Sequence, residues 1–308
     1  MLRILKWLTV GAIVLWLLWE VDVQLLWQAM QRLNPAGVAL TFLTVLFSDL
    51  IISYRWYYLS GYRHSFLSSF EANMLAFFLN IFAPAKLGDL SKIYYMHKKD
   101  GHDPKHSASL FLIERLFDVL VLGSLILISA LFILPSGASL AVALLLFFIL
   151  ALFFYALYNY TFAMKLINLI PFKKPKVYAY KIFKQMRENL TKKRVFVTFL
   201  LTLAVWGGYY LNNYIFFLTA TPFELTLSQI FVASTLAFAV SAIPLTPGGI
   251  GTFQAAFILT LGWYGITKEE ALAVSTLLQI LYIFPATLYS LYLLITKEFL
   301  WRNHVSAK

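Results

Sequence analysis

Two stretches decide the fold of this chain: Phe82-Ala-Pro-Ala-Lys-Leu-Gly-Asp-Leu-Ser-Lys92 and Pro244-Leu-Thr-Pro-Gly-Gly-Ile-Gly-Thr-Phe-Gln254. They interrupt two apolar runs, about 66–83 and 228–262, with proline and glycine. Proline removes a backbone donor and glycine opens left-handed backbone, so neither run continues as one helix. The composition around them identifies the solvent. The 308 residues are 61% hydrophobic and 13% charged, with mean hydropathy +0.76, whereas an ordinary soluble domain is about 25% charged. A bilayer tolerates broken backbone only where protein buries it or a wet cavity faces it.

Six other runs, about 4–19, 36–59, 107–134, 139–160, 195–218 and 271–296, read as full spans of a hydrocarbon core about 30 Å thick. The first follows Arg3 and Lys6, lacks a small-residue cleavage site and ends in Glu20 and Asp22. It reads as an uncleaved span rather than a signal peptide. Net charge is +11, but its distribution argues against a nucleic-acid partner: ten bases between Lys165 and Arg194 face one acid, Glu188. Such a loop marks the cytoplasmic side and can touch anionic headgroups. With that loop, Arg3 and Lys6, and Lys297, Arg302 and Lys308 all inside, the two broken runs must return to the side they entered.

The two breaks also resemble each other. Pro84-Ala-Lys-Leu-Gly88 and Pro247-Gly-Gly-Ile-Gly251 share Pro-x-x-x-Gly, 163 residues apart. The flanking spans keep nearly that offset, 36–59 with 195–218 and 107–134 with 271–296. The expected fold is an all-α polytopic membrane protein with six full spans plus two Pro/Gly-broken re-entrant elements arranged as an inverted repeat. It forms one transmembrane domain, 1–308, with units about 36–134 and 195–296 and a basic cytoplasmic loop 161–194. It is placed in the cell membrane with both termini cytoplasmic. Broken helices of inverted repeats meet near the midplane in many transporters, so the two breaks are expected to form one site.

Charges inside apolar spans usually pair or face a cavity. The densest set is Asn80, Lys86, Asp89, Ser91 and Lys92, followed by Glu114, Arg115 and Asp118. On a helix starting near Leu87, Asp89 and Lys92 are i, i+3 neighbours, and Glu114 and Asp118 share a face. Either this network fixes helix packing, or Lys86, Lys92 or Arg115 binds an anionic headgroup. The glycines of Pro247–Gly251, before a helix from near Thr252, either face an anion or relieve crowding. Arg55 lies near a span end and is expected to snorkel, whereas Asp49 is deeper and a candidate for the cavity. Trp56, Tyr57, Tyr58, Tyr94, Tyr95 and Trp301 read as an interfacial belt.

Enzyme chemistry is poorly represented. Cysteine is absent, which excludes disulfides and thiolate metal sites. His97, His102 and His106 with Asp103 could be drawn as a metal site, but Pro104 interrupts the helix that would align them. Metalloprotease, nucleophile-elbow and phosphate-loop motifs are missing. No cofactor, no metal and no catalytic residue are expected.

Together, Asn80…Pro84-x-Lys86-x-Gly88-Asp89-x-x-Lys92, Glu114-Arg115-x-x-Asp118 and Pro247-Gly-Gly-Ile-Gly251 resemble the lysylphosphatidylglycerol synthase transmembrane-region family, also called flippase-like. The resemblance covers nearly the whole chain. It implies a membrane protein associated with moving lipids between leaflets, here without the soluble synthase half. The family's first motif usually reads Pro-x-Arg-x-Gly-Glu-x-x-Arg. Lys86, Asp89 and Lys92 keep each sign but lose the bidentate fork. In the second half, Gln254 stands for the family's acid and Gln279 for its arginine. A Gln–Gln hydrogen bond can replace an ion pair there without leaving a charge unpaired.

The function expected is a lipid transporter that moves an anionic lipid or lipid-linked headgroup between leaflets. Its substrate site is expected at Asn80, Pro84, Lys86, Gly88, Asp89, Lys92, Glu114, Arg115 and Asp118. Opposite these lie Pro247, Gly248, Gly249, Gly251, Gln254 and Gln279. Two alternatives stand: a membrane-embedded lipid-modifying enzyme or its accessory subunit, with Glu114 and Asp118 as acid and base, and an ion-coupled carrier of a small solute. The residues leave the oligomeric state open.

Overall fold

The computed structural model describes residues 23–133, 191–243 and 246–296, together with scattered positions between 141 and 184 that are continuous only over 159–169. The expected spans 4–19 and most of 139–160, and the tail beyond 296, lie outside the described residues. Among the described residues the chain is helical throughout.

Short α1 (Val23–Gln31) leads to α2 (Pro35–Leu59), where Asn34 accepts from the Ala36 amide and Pro35 opens the helix. The Ser65 side chain caps α3 (Phe66–Phe82), a 17-residue apolar helix. A 3-10 segment, Pro84–Leu90, then precedes α4 (Ser91–Asp100). The Asp103 side chain caps α5 (Pro104–Leu131). After α6 (Tyr160–Asn168), α7 (Lys192–Ile215) starts on a Thr191 cap and continues as a π turn, Phe216–Ala220. A Thr226–Gln229 capping box opens α8 (Leu227–Ala242), 16 residues long. A tight turn, Pro247–Gly249, then α9 (Thr252–Gly262) and α10 (Lys268–Thr296) complete the chain. Each cap satisfies a helix-end amide that a bilayer could not.

One series therefore occurs twice: long helix, short apolar helix, proline break, short helix, long helix. Among the described residues, three helices are long and apolar enough to cross a membrane, Pro35–Leu59, Lys192–Ala220 and Lys268–Thr296. The 28-residue α5 has the length, but its middle carries Glu114, Arg115 and Asp118. At 1.5 Å per residue, α3 and α8 reach only about 25 Å, short of the hydrocarbon core.

Polarity is inverted relative to a soluble protein. Phe47, Val119, Phe196 and Ile295 are exposed, while Thr41, Ser53, Thr202, Thr260 and Ser275 are buried. Each of those hydroxyls donates to the carbonyl four residues back, so small polar groups sit between helices without an unpaired atom. Helix α2 packs on α7 so closely that a Cβ on Gly37 would lie 2.4 Å from the Thr219 backbone. The core has two clusters. One, around Trp56, Leu75, Met96, Ile113 and Phe117, belongs to the first series, and the other, around Phe216, Phe217, Phe253, Phe257 and Leu278, largely to the second.

Candidate functional site

The two breaks touch each other. A Cβ on Gly248 would come 3.2 Å from Ile81 Cα, so the second turn lies against the end of α3. Beside this contact is a cavity of about 430 Å³. Asn80, Asp89, Lys92, Arg115 and Asp118 line it from the first series, and Thr246, Gly248, Gly249 and Tyr282 from the second. Asp49 and Arg55 of α2 and Trp206 and Tyr209 of α7 line it as well.

The first break is held by close contact. A Cβ on Gly88 would lie 2.4 Å from the Asn80 amide nitrogen, which only glycine permits. That approach lets Asn80 Nδ2 donate to Asp89 Oδ1 at 2.8 Å. The helix starts at Ser91 rather than near Leu87, so Asp89 belongs to the break and Lys92 to the helix. Their side chains part: Asp89 pairs with Arg115 at 3.5 Å, and Lys92 donates to Glu114 at 3.0 Å. Pro84 and Lys86 fall in the 3-10 segment, and their side chains lie outside the described residues.

Arg55 corrects the sequence reading. It does not snorkel: it is 2% exposed and donates to Glu114 at 2.7 Å and to Asp118 at 2.6 Å. Glu114, fully buried, accepts from Arg55 and Lys92 at once. Arg115 approaches Asp118 at 3.2 Å and keeps 34% of its side chain exposed. Three bases, Arg55, Lys92 and Arg115, thus interleave with three acids, Asp89, Glu114 and Asp118. The signal for Arg55 was its place on one apolar helix with Asp49, since a guanidinium there needs carboxylate partners. Trp56 and Tyr95 are not belt residues either. Both are fully buried, with the Lys92 ammonium 5.0 Å from the Trp56 ring and the Tyr95 hydroxyl donating to Glu71. Glu71, which the sequence reading missed, also pairs with Lys99. Trp301 lies outside the described residues.

The polar pair behind the second break is neutral. Gln254 Nε2 donates to Gln279 Oε1 at 2.6 Å, and Gln279 Nε2 donates to the Gly248 carbonyl at 3.1 Å. The hydrogen bond expected in place of an ion pair is therefore present. Gly248, Gly249 and Gly251 have φ of 62°, 70° and 86°, which suits glycine. The amides of Gly249, Ile250 and Gly251 donate to Thr246 O, Pro247 O and Gln254 Oε1. With three amides occupied, the turn acts as a wall of the cavity, and the crowding reading of its glycines fits better than the anion-facing one. Pro244 lies outside the described residues. Among the described residues no three His, Cys, Asp or Glu groups could hold a metal ion together.

Among the described residues, six around the cavity each hold a buried polar side-chain atom without a hydrogen-bond partner. They are Asp49 Oδ2, Arg55 Nε, Asn80 Oδ1, Arg115 Nε, Trp206 Nε1 and Ser241 Oγ. Buried polar atoms normally find partners, and their concentration here marks a place where a polar ligand can supply them.

Comparison with known proteins agrees with this architecture. The chain is 28% identical over 222 residues to a UPF0104 membrane protein of Methanocaldococcus jannaschii, an alignment covering 69% of this chain and 91% of that protein. Residues 3–290 match the family described as lysylphosphatidylglycerol synthase TM region. The chain belongs to that family of membrane proteins.

Proposed function

We propose that this protein is a flippase-like lipid transporter that moves an anionic lipid or lipid-linked headgroup between the leaflets of the cell membrane. The observation that carries this reading is the set of unpartnered polar atoms around one cavity inside an apolar-surfaced bundle. A headgroup would lie among Asn80, Asp89, Lys92, Arg115 and Asp118, with the Pro247–Gly251 turn and the Gln254–Gln279 pair opposite and the acyl tails in lipid. The two series are read as inverted units of one transmembrane domain, with six spans, re-entrant α3 and α8, and both termini and the basic loop 161–194 cytoplasmic. Their common order, and the contact between their breaks, support that reading.

The reading of Glu114 as a general acid fits less well, because both of its oxygens already serve Arg55 and Lys92. The test is leaflet exchange. Purified protein in phosphatidylcholine vesicles carrying a trace of fluorescent phosphatidylglycerol is treated with dithionite, which bleaches the outer leaflet. Bleaching that continues into the inner leaflet is expected. Bleaching confined to the outer leaflet, for this and for other headgroups, would overturn the proposal.

A further inference from the structure

Among the described residues, Asp49 belongs to no ion pair of the charged network. Its side chain is buried, 6% exposed, and faces the cavity from the middle of α2. Oδ2 has no hydrogen-bond partner. The charged and titratable groups that share the cavity with it are Arg55, Asp89, Lys92, Arg115 and Asp118, with Tyr209 and Tyr282 from the second series. Every base among them is committed elsewhere: Arg55 to Glu114 and Asp118, Lys92 to Glu114, and Arg115 to Asp89, Glu114 and Asp118.

The count of charges then becomes informative. Among the described side chains three bases match three acids, and Asp49 is the fourth acid. A buried carboxylate without a counter-ion is costly, and a bound cation relieves that cost. The smallest cation needs no further ligands from the protein, and the described side chains around Asp49 offer no second free carboxylate to hold a metal. Resting on the transport reading of this cavity, we propose that Asp49 is the proton-coupling site: its Oδ2 takes a proton on loading and returns it to water on release.

The coupling follows from charge alone. With Asp49 ionised, the described side chains of the cluster carry one negative charge in excess, which opposes an anionic headgroup. With Oδ2 protonated, acids and bases balance and that repulsion disappears. Proton binding and anion binding therefore favour each other, and by linkage the effect is reciprocal. The proton travels with the anion in the same direction, and no bond breaks other than the O–H bond that formed on loading.

Two measurements test this. In the wild-type protein, a hydrophobic carbodiimide reacts with a protonated carboxyl in apolar surroundings, and mass spectrometry of the peptide locates it. Asp49 is expected to be labelled at acid pH and progressively less as the pH rises. No label on Asp49 at any pH overturns the proposal, and this outcome is independent of whether any lipid moves. In vesicles with fluorescent phosphatidylglycerol, wild-type exchange should rise as the pH of the loading side falls, by up to about tenfold per unit for one proton. Asp49→Asn, which imitates the protonated form, should exchange at a rate independent of pH. A variant that keeps the wild-type pH dependence overturns the proposal. An absence of exchange in the wild type would sink the transport reading instead, and the labelling result would still decide whether Asp49 takes a proton.

Discussion

At the residue scale, the groups of the network that line the cavity differ in burial. Glu114 is fully buried between Arg55 and Lys92, so Glu114→Ala strands the Lys92 ammonium in an apolar interior and leaves Arg55 with Asp118 alone. Breaking a buried pair costs about 3–5 kcal/mol, and a large drop in the unfolding temperature in detergent is expected. Arg115 is different, because a third of its side chain stays exposed. Arg115→Ala should stop leaflet exchange while lowering the unfolding temperature much less; equal losses of stability in the two variants would contradict this division. The glutamine pair gives a complementary test. Gln254→Glu alone places a charge where Gln279 offers no cation, and adding Gln279→Arg should recover the lost stability. The acids at 89, 114 and 118 and the bases at 92 and 115 were legible in the sequence because charge inside an apolar run has few structural explanations. The pairing among them was not legible, since it depends on where Gly88 lets the chain turn. Arg55 was misjudged because position along a helix does not reveal which way a side chain points.

At the scale of elements, both breaks depend on glycine, the first for a close approach and the second for left-handed backbone. Gly88→Ala would press a methyl group against the Asn80 amide, Asn80 Oδ1 and the Leu79 carbonyl carbon, all within 2.7 Å. Overpacking of this kind costs about 1–3 kcal/mol, and it should separate Asn80 from Asp89. Exchange should be lost while the protein still inserts; wild-type exchange in Gly88→Ala would remove the break from the site. The connection between α2 and α3 carries a separate, pH-dependent contribution. His64 accepts or donates at 2.8 Å to Ser69 and packs edge-on against His102. Burial, with His102 adding to it, pushes its pKa down to about 4. The folded state therefore prefers neutral His64, so the unfolded chain binds the extra proton between pH 6.5 and 4. Stability should fall as pH drops through that window, and His64→Gln should flatten the slope measured by thermal unfolding. Proline and glycine made both breaks visible in the sequence. The short helices α4 and α9 beyond them were less so, because ten or eleven residues carry too little periodicity to fix a boundary.

At the scale of the molecule, transport requires the two series to move relative to each other, and the contacts between them differ in kind. Ser48 and Asn212 are separated by 164 residues and exchange hydrogen bonds at 3.2–3.3 Å where α2 packs on α7. That separation is nearly the offset of the two breaks, so on the proposed inverted-repeat reading each residue meets its own counterpart, as residues on the two-fold axis of that arrangement would. An axis is where rocking units move least. At the breaks, by contrast, Gly248 meets Ile81, which is not its counterpart at that offset. Because the chain has no cysteine, an introduced pair reports alone. Oxidised Ser48→Cys with Asn212→Cys should still exchange lipid, since the link sits at the pivot. Oxidised Ile81→Cys with Gly248→Cys should stop exchange and regain it on reduction, although cysteine at φ 62° itself costs about 1–2 kcal/mol. The reverse pattern, with the pivot link blocking and the break link tolerated, would mean that the units slide along α2 and α7 while the breaks stay fixed, and alternating access would have to come from somewhere other than the breaks.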